Sequence, residues 1–471
     1  MSSPNADFAP GTVVGPDGMP RPVAPDPAAH VLLASSGGRD SLGALTRLSQ
    51  WREQGRFARL SVIHVDHGLH PDAPAWAEVA REQAEAFDCA FDARQVRVKR
   101  SAAAAGRGST EAAARDARYR AFDAALAEAA TDDPAHPPVL VTAHHAEDQA
   151  ETILLALMRG SGGRGLSGMS AWRPRAAFAH WRPFLDTPRA ELEAAARSSG
   201  LSWVDDPAND DPGFARNHLR HHVLPALRAF WPDAVSRVRT SAQRLTMEQG
   251  LLGELAELDA GQPLDRTTLD WRRASALPPH RQCNLLRQWL ARLGCLPPPP
   301  ERLGEWLAQL RTAAADRQPL LEWPGGQLRR YRERIHWLQS LPEPTRPRDW
   351  PDDQSCLSLD EGGALCRRPV SAESDDDGGR LRKTTEAWRL RPVGGSERLR
   401  PAVGRPSLPV KQWFQDQGIP PWERPAAIGV EIGGQLAAVR AGGHWLVDVA
   451  FRPQAGEPAW LLVEGGQPGQ V

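Results

Sequence analysis

The sequence predicts an α/β architecture: an N-terminal domain built on a parallel sheet, followed by a helical domain and a small C-terminal β-rich α+β domain. Three observations carry this expectation. Short apolar runs alternate with helical stretches as far as Asn217. Long Leu/Ala/Arg/Trp stretches without strand alternation follow, and from Trp388 onward short apolar runs return, separated by glycine pairs. Alternation of the first kind implies parallel strands covered by helices on both faces.

Residues 1–29 contain no basic segment followed by an apolar one, so they read as a flexible extension and not as a secretory signal. The run 31–35 (VLLAS) ends in a Gly-Gly turn, after which Leu42, Leu45 and Leu48 recur at helical spacing. Further strand-like runs lie at Leu60–Val65, Phe91–Val98 and Val139–Thr142, separated by helical stretches such as Ala73–Phe87 and Thr110–Ala130. Together these define an α/β domain over residues 30–217. Residues 218–340, with Val235–Leu258 and Arg281–Leu293 broken by Pro297–Pro300, form the helical domain. Residues 341–385 have Pro-rich ends, an acidic Asp375–Asp377 run and Gly378-Gly379, which predicts a linker with a short strand at Cys356–Leu359. Residues 386–471 form the C-terminal domain, with runs at Gln435–Val439 and His444–Val449.

Basic and acidic side chains balance at 57 and 58, so any nucleic-acid surface must be local. Arginine supplies nearly all the cations, with Lys99, Lys383 and Lys411 the lysines, as a GC-rich coding bias would produce. No apolar run approaches the roughly 20 residues of a membrane-spanning helix. The five cysteines fall at no C-x-x-C spacing, which argues against a zinc ribbon, an iron–sulfur site or a disulfide framework and fits the reducing cytoplasm.

Chemistry concentrates where strands end. Ser36-Gly37-Gly38-Arg39-Asp40-Ser41 turns from a buried strand into a helix. The glycines let backbone N–H groups approach an anion and the helix start adds roughly half a positive charge, so phosphate binding follows. The loop lacks the Gly-Lys-Ser/Thr element of kinases and GTPases and is not G-x-G-x-x-G. His64, Asp66 and His67 close the second strand, where open α/β sheets bind ligands. After the fourth strand comes Thr142-Ala143-His144-His145-Ala146-Glu147-Asp148-Gln149-Ala150-Glu151-Thr152. Asp148 and Glu151 share a helix face there and suit an ammonium group or a magnesium ion. A purely structural role remains open, since Glu147 and Asp148 also complement the helix dipole.

The Ser-Gly-Gly-x-Asp-Ser loop resembles the PP-loop of ATP pyrophosphatases, and the His-His segment is similar to the A-H-H-x-D-D-Q-x-E-T motif of the tRNA(Ile)-lysidine synthetase family, with Glu147 in place of the usual first Asp. Glu111 through Tyr119, Arg159-Gly160-Ser161-Gly162, and Asp205 through Leu224 with Asp206, Asn209, Arg216, Asn217 and Arg220, resemble further elements of that family. So do Trp388-Arg389-Leu390-Arg391-Pro392, Gly404 through Phe414, and Gly418-Ile419-Pro420-Pro421-Trp422-Glu423-Arg424, although few lysines remain in this last module.

The resemblance implies an ATP-dependent ligase that joins L-lysine to the wobble cytidine of tRNA(Ile) with a CAU anticodon. It implies catalytic roles for Asp40, Arg115, Asp148, Glu151 and Arg216, with ATP held by Ser36, Gly37, Gly38, Arg39, Asp40, Ser41, His64 and His67. Magnesium falls to Asp40, lysine to Asp148 and Glu151, and tRNA to the helical domain and to Arg398, Arg400, Arg405 and Lys411 beside Trp413 and Trp422. A homodimer is left open. Two alternatives share the loop: tRNA thiolation, disfavoured by the cysteine spacing, and a catalytically degenerate nucleotide- or RNA-binding protein.

Overall fold

The computed structural model describes residues 13–14, 20–21, 25–68, 70–97, 107–136, 138–174, 178–207, 214–313, 317–359, 363–370, 379–454 and 457–465. It divides into two compact units, Met1–Leu252 and Gly253–Val471. Of the N-terminal extension only Val13–Val14 and Pro20–Arg21, paired antiparallel, and the residues from Pro25 on are described. Lys99, Asn209 and the Asp375–Asp377 run lie outside the described residues.

In the first unit the chain runs through β1 (His30–Ala34), α1 (Arg39–Glu53), β2 (Arg59–Asp66), α2 (Ala73–Ala86), β3 (Ala90–Gln95), α3 (Arg107–Asp132), β4 (Pro138–Thr142) and α4 (Ala146–Met158). It continues with α5 (Gly163–Leu166), β5 (Trp172–Pro174), β6 (Ala179–Trp181), α6 (Arg189–Ser198) and α7 (Ala215–His218). A π-helical turn, Leu219–Val223, leads into α8 (Leu224–Phe230), and α9 (Ala234–Ala260) follows. The sheet order is β3-β2-β1-β4-β6-β5, parallel except for β5.

Successive side chains leave opposite faces of a strand. Val31, Leu33 and Val62 therefore join one apolar cluster with Leu45, Leu48 and Leu192, while Leu32, Ile63 and Leu140 join another with Phe122 and Leu126. Both faces are covered, and the strands accordingly read as unbroken apolar runs. From β1 the chain builds outward through β2 and β3, then crosses to β4 on the other side of β1. The loops after β1 and β4 thus part in opposite directions and open a crevice at the strands' C-terminal ends. Helix α6 closes on α1 so tightly that a Cβ at Gly43 would lie 2.1 Å from the Leu192 carbonyl oxygen.

The predicted boundary at Asn217 falls inside a helical segment that belongs to the first unit. Asn217, Leu219 and Leu224 are buried, and Leu224 packs with Ala146 and Ala150 of α4 and Val235 of α9. Interior packing ties these residues to the helix that carries the His-His motif, and composition changes before that packing ends.

The second unit contains more strand than predicted. Helices α10 (Trp271–Ser275), α11 (Pro279–Arg292) and α12 (Pro300–Thr312) are joined by β7 (Thr268–Asp270), β8 (Leu320–Trp323), β9 (Gly326–Tyr331) and β10 (Arg334–Leu338), in the antiparallel order β8-β9-β10-β7. Leu285, Trp289, Trp306, Leu321, Leu328 and Ile335 form one core between helices and sheet.

The predicted linker is also largely sheet. β11 (Arg348–Trp350), β12 (Cys356–Ser358), β13 (Ala364–Val370) and β14 (Gly379–Arg382) pair with strands of the C-terminal domain. Those strands are β15 (Trp388–Pro392), β16 (Arg398–Leu399), β17 (Leu408–Pro409), β18 (Ile428–Ile432), β19 (Gln435–Ala441), β20 (His444–Val447) and β21 (Ala459–Gly465), with α13 (Val410–Asp416) after β17. Sheets of order β11-β15-β18-β19-β20 and β12-β13-β21-β14 enclose Trp350, Leu365, Leu381, Trp388, Val430 and Leu462. The polar ends of the segment mask these pairings, because its partners lie up to a hundred residues away in sequence, as with Val370 and Ala459. The β12–β13 register sets Cys356 opposite Cys366, and the two form a disulfide. The argument from spacing against a disulfide framework missed this bridge, because spacing in sequence does not reveal a cross-strand register.

Candidate active site

The phosphate loop is held open by its own side chains. Gly37 has φ +75°, and a Cβ there would meet the Trp76 carbonyl oxygen at 3.0 Å, so conformation and space both demand glycine. The Gly37 N–H donates to Ser35 Oγ at 3.1 Å, and the Ser41 hydroxyl caps the Gly38 carbonyl at 2.8 Å. Buried Gln83 donates to the carbonyls of Gly37 (3.1 Å) and Ser202 (2.8 Å), and the Val204 N–H donates to Gly37 O at 3.0 Å. These bonds fix a turn whose next residues open α1, where helix-end N–H groups favour an anion.

Asp40, in the first turn of α1, reaches toward α4. Its Oδ2 lies 3.6 Å from His145 Nε2 and its Oδ1 accepts from Arg189 Nε at 3.3 Å. His145 is fully buried, and two more carboxylates approach it, Glu147 at 3.2 Å and Asp148 at 3.3 Å. Burial alone would strip its proton. The surrounding carboxylates, Asp40 and Glu147 foremost, outweigh burial and raise the imidazole to about 9, so it is a cation at neutral pH. Burial likewise works against Asp40 and Glu147, yet His145, with Arg189 on both and Arg228 on Glu147, holds each at about 2. Glu147 also accepts from the Arg189 N–H at 2.9 Å and from Arg228 Nη2 at 2.6 Å. The residue that departs from the family motif thus joins the start of α6 to α8 and to His145.

One turn on, both oxygens of fully buried Glu151 are occupied. Arg216 Nε donates at 2.9 Å, Arg220 Nε at 2.7 Å and Arg220 Nη2 at 3.1 Å. Asp148 accepts from Arg220 Nη2 at 3.0 Å and from the His145 N–H at 3.1 Å. Both carboxylates expected to take an ammonium group or a magnesium ion thus carry cationic partners from the chain itself. Two guanidiniums from α7 and the following turn already neutralise them, since a buried carboxylate requires such partners.

A cavity of about 380 Å³ lies in the crevice. Ser36, Gly38, Asp40 and Ser41 line one end, His64, Asp66, His67 and Trp76 a second wall, and Arg115, Arg118, Tyr119, Ala143 and His144 a third. Burial lowers the pKa of His64 and His67 and brings His144 to about 3, so all three are neutral. His64 Nδ1 donates to Ser35 O at 3.0 Å, which leaves Nε2 as an acceptor. Behind His144 runs a chain of hydrogen bonds. Arg182 Nη2 meets His180 Nδ1 at 3.1 Å, His180 Nε2 meets Thr142 Oγ1 at 3.0 Å, and Thr142 Oγ1 meets His144 Nδ1 at 2.7 Å. A guanidinium has no acceptor, so His180 Nδ1 must accept and every proton in the chain points toward His144. His144 therefore keeps its proton on Nε2.

A phosphate cradle and a carboxylate-rich helix start, joined by a buried imidazolium, match the pattern of particular proteins. Residues 18–227 match the family described as PP-loop domain, 269–336 the TilS substrate binding domain, and 388–462 the TilS substrate C-terminal domain. A tRNA(Ile)-lysidine synthase from Alkalilimnicola ehrlichii is 39% identical over 92% of this chain and 94% of its own. The protein of the same name from Ralstonia nicotianae is 37% identical over 91% and 93%, and that from Pseudomonas aeruginosa 42% identical over 68% and 69%. The chain belongs to the tRNA(Ile)-lysidine synthase family.

Within that family frame, Ser36, Gly38, Asp40, Ser41, His64, His67 and Arg115 share the cavity as expected from the motifs. Gly37 supports the loop from behind. Arg39 turns away, its guanidinium 3.3 Å from part-buried Glu193 on α6. Asp148, Glu151 and Arg216 do not line the cavity; Asp148 is linked to cavity-lining Asp40 through His145. Arg189, which pairs with Asp40, and Arg182 were not legible in the motifs; Pro188, opening α6, was the local signal for Arg189. In the second unit Arg398, Arg400, Arg405 and Lys411 are exposed, and Arg398 Nε donates to Ser407 Oγ at 2.9 Å. Trp413 and Trp422, beside these cations in sequence, are core residues at 4% and 6% exposure. Among the described residues no helix is long and apolar enough to cross a membrane, and no cluster of three or more His, Cys, Asp or Glu is arranged to hold a metal ion.

Proposed function

We propose that the chain ligates the ε-amine of free L-lysine to C2 of the wobble cytidine in the CAU anticodon of tRNA(Ile), converting ATP to AMP and pyrophosphate and changing the codon read from AUG to AUA. The observation that carries the reading is the meeting of the phosphate loop and the His-His carboxylate motif across one cavity, in a chain with all three parts of the family. The cytosine O2 is a poor leaving group until it is adenylated. Attack of O2 on the α-phosphate releases pyrophosphate toward Ser36, Gly38 and Ser41, whose loop and helix start favour the departing charge. The lysine amine, having given up a proton, then attacks C2, and the C2–O2 bond breaks with AMP carrying the oxygen away.

The neutral His64, His67 and His144 offer hydrogen bonds without adding charge, while Arg115 and Arg118 face the developing phosphate charge. Asp148, 14% exposed in its side chain against 0% for Glu151, is the carboxylate of the pair assigned to the lysine ammonium, which would take the place of Arg220 Nη2 on it, and fully buried Glu151 fixes Arg216 and Arg220 behind it. Magnesium draws most of its ligands from water and phosphate oxygens, so one carboxylate suffices. Asp40, ionised and part-exposed beside the loop, fits that role, and the ion would supply charge neutralisation on the phosphates. No cysteine lines the cavity, which weighs against sulfur delivery. The test is nucleoside mass spectrometry after incubation with ATP, lysine and tRNA transcripts. Addition of lysine mass at the wobble cytidine is expected; sulfur replacement or no change would overturn the reading.

A further inference from the structure

Beside the first cavity lies a second, of about 340 Å³, lined by Arg115 and Arg120 of α3, Arg173 of β5 and Arg182 just past β6. Arg115 and Tyr119 belong to both. Arg182 is only 6% exposed. Its Nη1 donates to Ser170 O at 2.7 Å and its Nη2 to His180, the Tyr119 side chain is a further hydrogen-bond partner, none of the three a carboxylate, and its Nε is buried without a hydrogen-bond partner. Among the described residues, no carboxylate lies within ion-pair distance of any of the four arginines. By contrast Arg189, Arg216, Arg220 and Arg228 each rest on one. A buried guanidinium without a counter-charge is strongly unfavourable, because its lost hydration is not repaid. Arg115 and Arg173 aggravate it, since both add positive charge around Arg182. Such a wall is completed by an anion.

We propose that this pocket receives a backbone phosphate of the RNA strand, adjacent to the nucleotide whose base enters the first cavity; the proposal rests on the tRNA reading above. The ATP phosphates have their own cradle, and none of its residues lines the second pocket. Asp116 and Asp123 share the lining, leaving a net excess of two positive charges, which suits a phosphodiester and not a triphosphate. The shared Arg115 and the chain from Arg182 through His180 and Thr142 to His144 place the bound phosphate next to the reacting base.

The test uses the full chain, wild type and the double variant Arg120→Gln/Arg173→Gln, whose side chains are exposed and whose folding is checked by thermal melting. The probe is an anticodon stem-loop RNA with a CAU loop, together with copies carrying one methylphosphonate at each loop position. The variant should bind RNA roughly tenfold more weakly, as loss of charge-assisted hydrogen bonds implies. Its salt dependence should flatten by roughly 0.7 log units per lost contact. At one position methylphosphonate should weaken wild type and leave the variant unaffected. Arg182→Lys, which keeps the charge but loses Nε, should fall between the two, with the KM for ATP unchanged. Unchanged RNA affinity and slope would overturn the proposal, and so would a raised KM for lysine at unchanged RNA affinity, which would make the pocket an amino-acid carboxylate site. Wild-type chain that modifies tRNA while the variants bind it normally would sink this inference alone; wild type that binds no RNA would sink the function with it.

Discussion

Two walls of the same crevice carry arginines, and they differ in what balances them. On the α4 side Arg216 and Arg220 are locked onto Glu151 and Asp148, Arg228 onto Glu147 and Arg189 onto Asp40, around a protonated His145. On the α3 side Arg115, Arg120, Arg173 and Arg182 line a pocket, and among the described residues none has a carboxylate within ion-pair distance. The first wall is neutralised from within and acts as a scaffold; the second awaits an anion from outside. The motif that looks most like a binding site is thus the one whose charges are already paired, and the second wall, of whose arginines only Arg115 lies in a motif, is the one without ion-pair partners among the described residues.

The largest effect is expected where the scaffold touches chemistry. Asp40→Asn removes the one carboxylate that joins the phosphate loop to His145, and AMP formation should fall by about 10²–10³-fold, the scale for losing one preorganised electrostatic contact. Far-UV circular dichroism should be unchanged. Near-normal turnover by a folded variant would mean that Asp40 serves only as a structural partner of Arg189.

Glu151→Gln tests the scaffold itself. Removing the charge leaves two guanidiniums facing an amide, and breaking such a buried pair typically costs about 3–5 kcal/mol. Chemical denaturation should show a loss of that order, together with a rise in the KM for lysine larger than that for ATP. A stable variant whose two KM values rise equally would contradict the division of roles between Glu151 and Asp148.

How much of this was legible in the sequence follows from the range of each interaction. Four of the five parallel strands and the Ser36–Ser41 loop were, because apolar period and glycine placement are local. The ladder β8-β9-β10 was not: Arg329, Arg330 and Arg334 gave it a helical composition, although Pro324-Gly325-Gly326 marked its turn. Asp148 and Glu151 were identified as residues but their pairing was not legible, because Arg216 and Arg220 reach them from 65 and 69 residues away in sequence. The Arg182 pocket left no trace, since it assembles from α3 and the β5–β6 hairpin only after folding.

A smaller effect comes from pH. His145 binds its proton more tightly in the folded chain than its usual 6.5, so its contribution is complete below about 6.5 and is lost as pH rises through about 9. Asp40 and Glu147 behave oppositely: their contributions are complete above their usual 3.8 and 4.5 and are lost as pH falls through about 2. Melting temperature should decline between pH 6.5 and 9, and His145→Gln should flatten that decline while lowering stability at pH 6. An equal slope in both proteins would show that His145 is not the cation of the scaffold.

The smallest effect extends the comparison to the second unit. Arg400, Arg405 and Lys411 are exposed and, like the α3 arginines, have no carboxylate within ion-pair distance among the described residues, but they differ in being solvated, so no desolvation demands an anion. Their contribution to tRNA binding should be purely electrostatic. Replacing Arg405 and Lys411 together with alanine should weaken tRNA binding modestly and reduce its salt slope by roughly 0.7 to 0.9 log units per lost contact. ATP binding should not change, and neither should the pattern of methylphosphonate sensitivity in the anticodon loop. Affinity measured across a salt series for wild type and the double variant decides the matter. If slope and affinity both stay the same, these cations are ordinary surface charges and the unpaired α3 wall carries the RNA contacts without them; if methylphosphonate sensitivity shifts as well, the two sets of cations are coupled through the RNA and act as one surface.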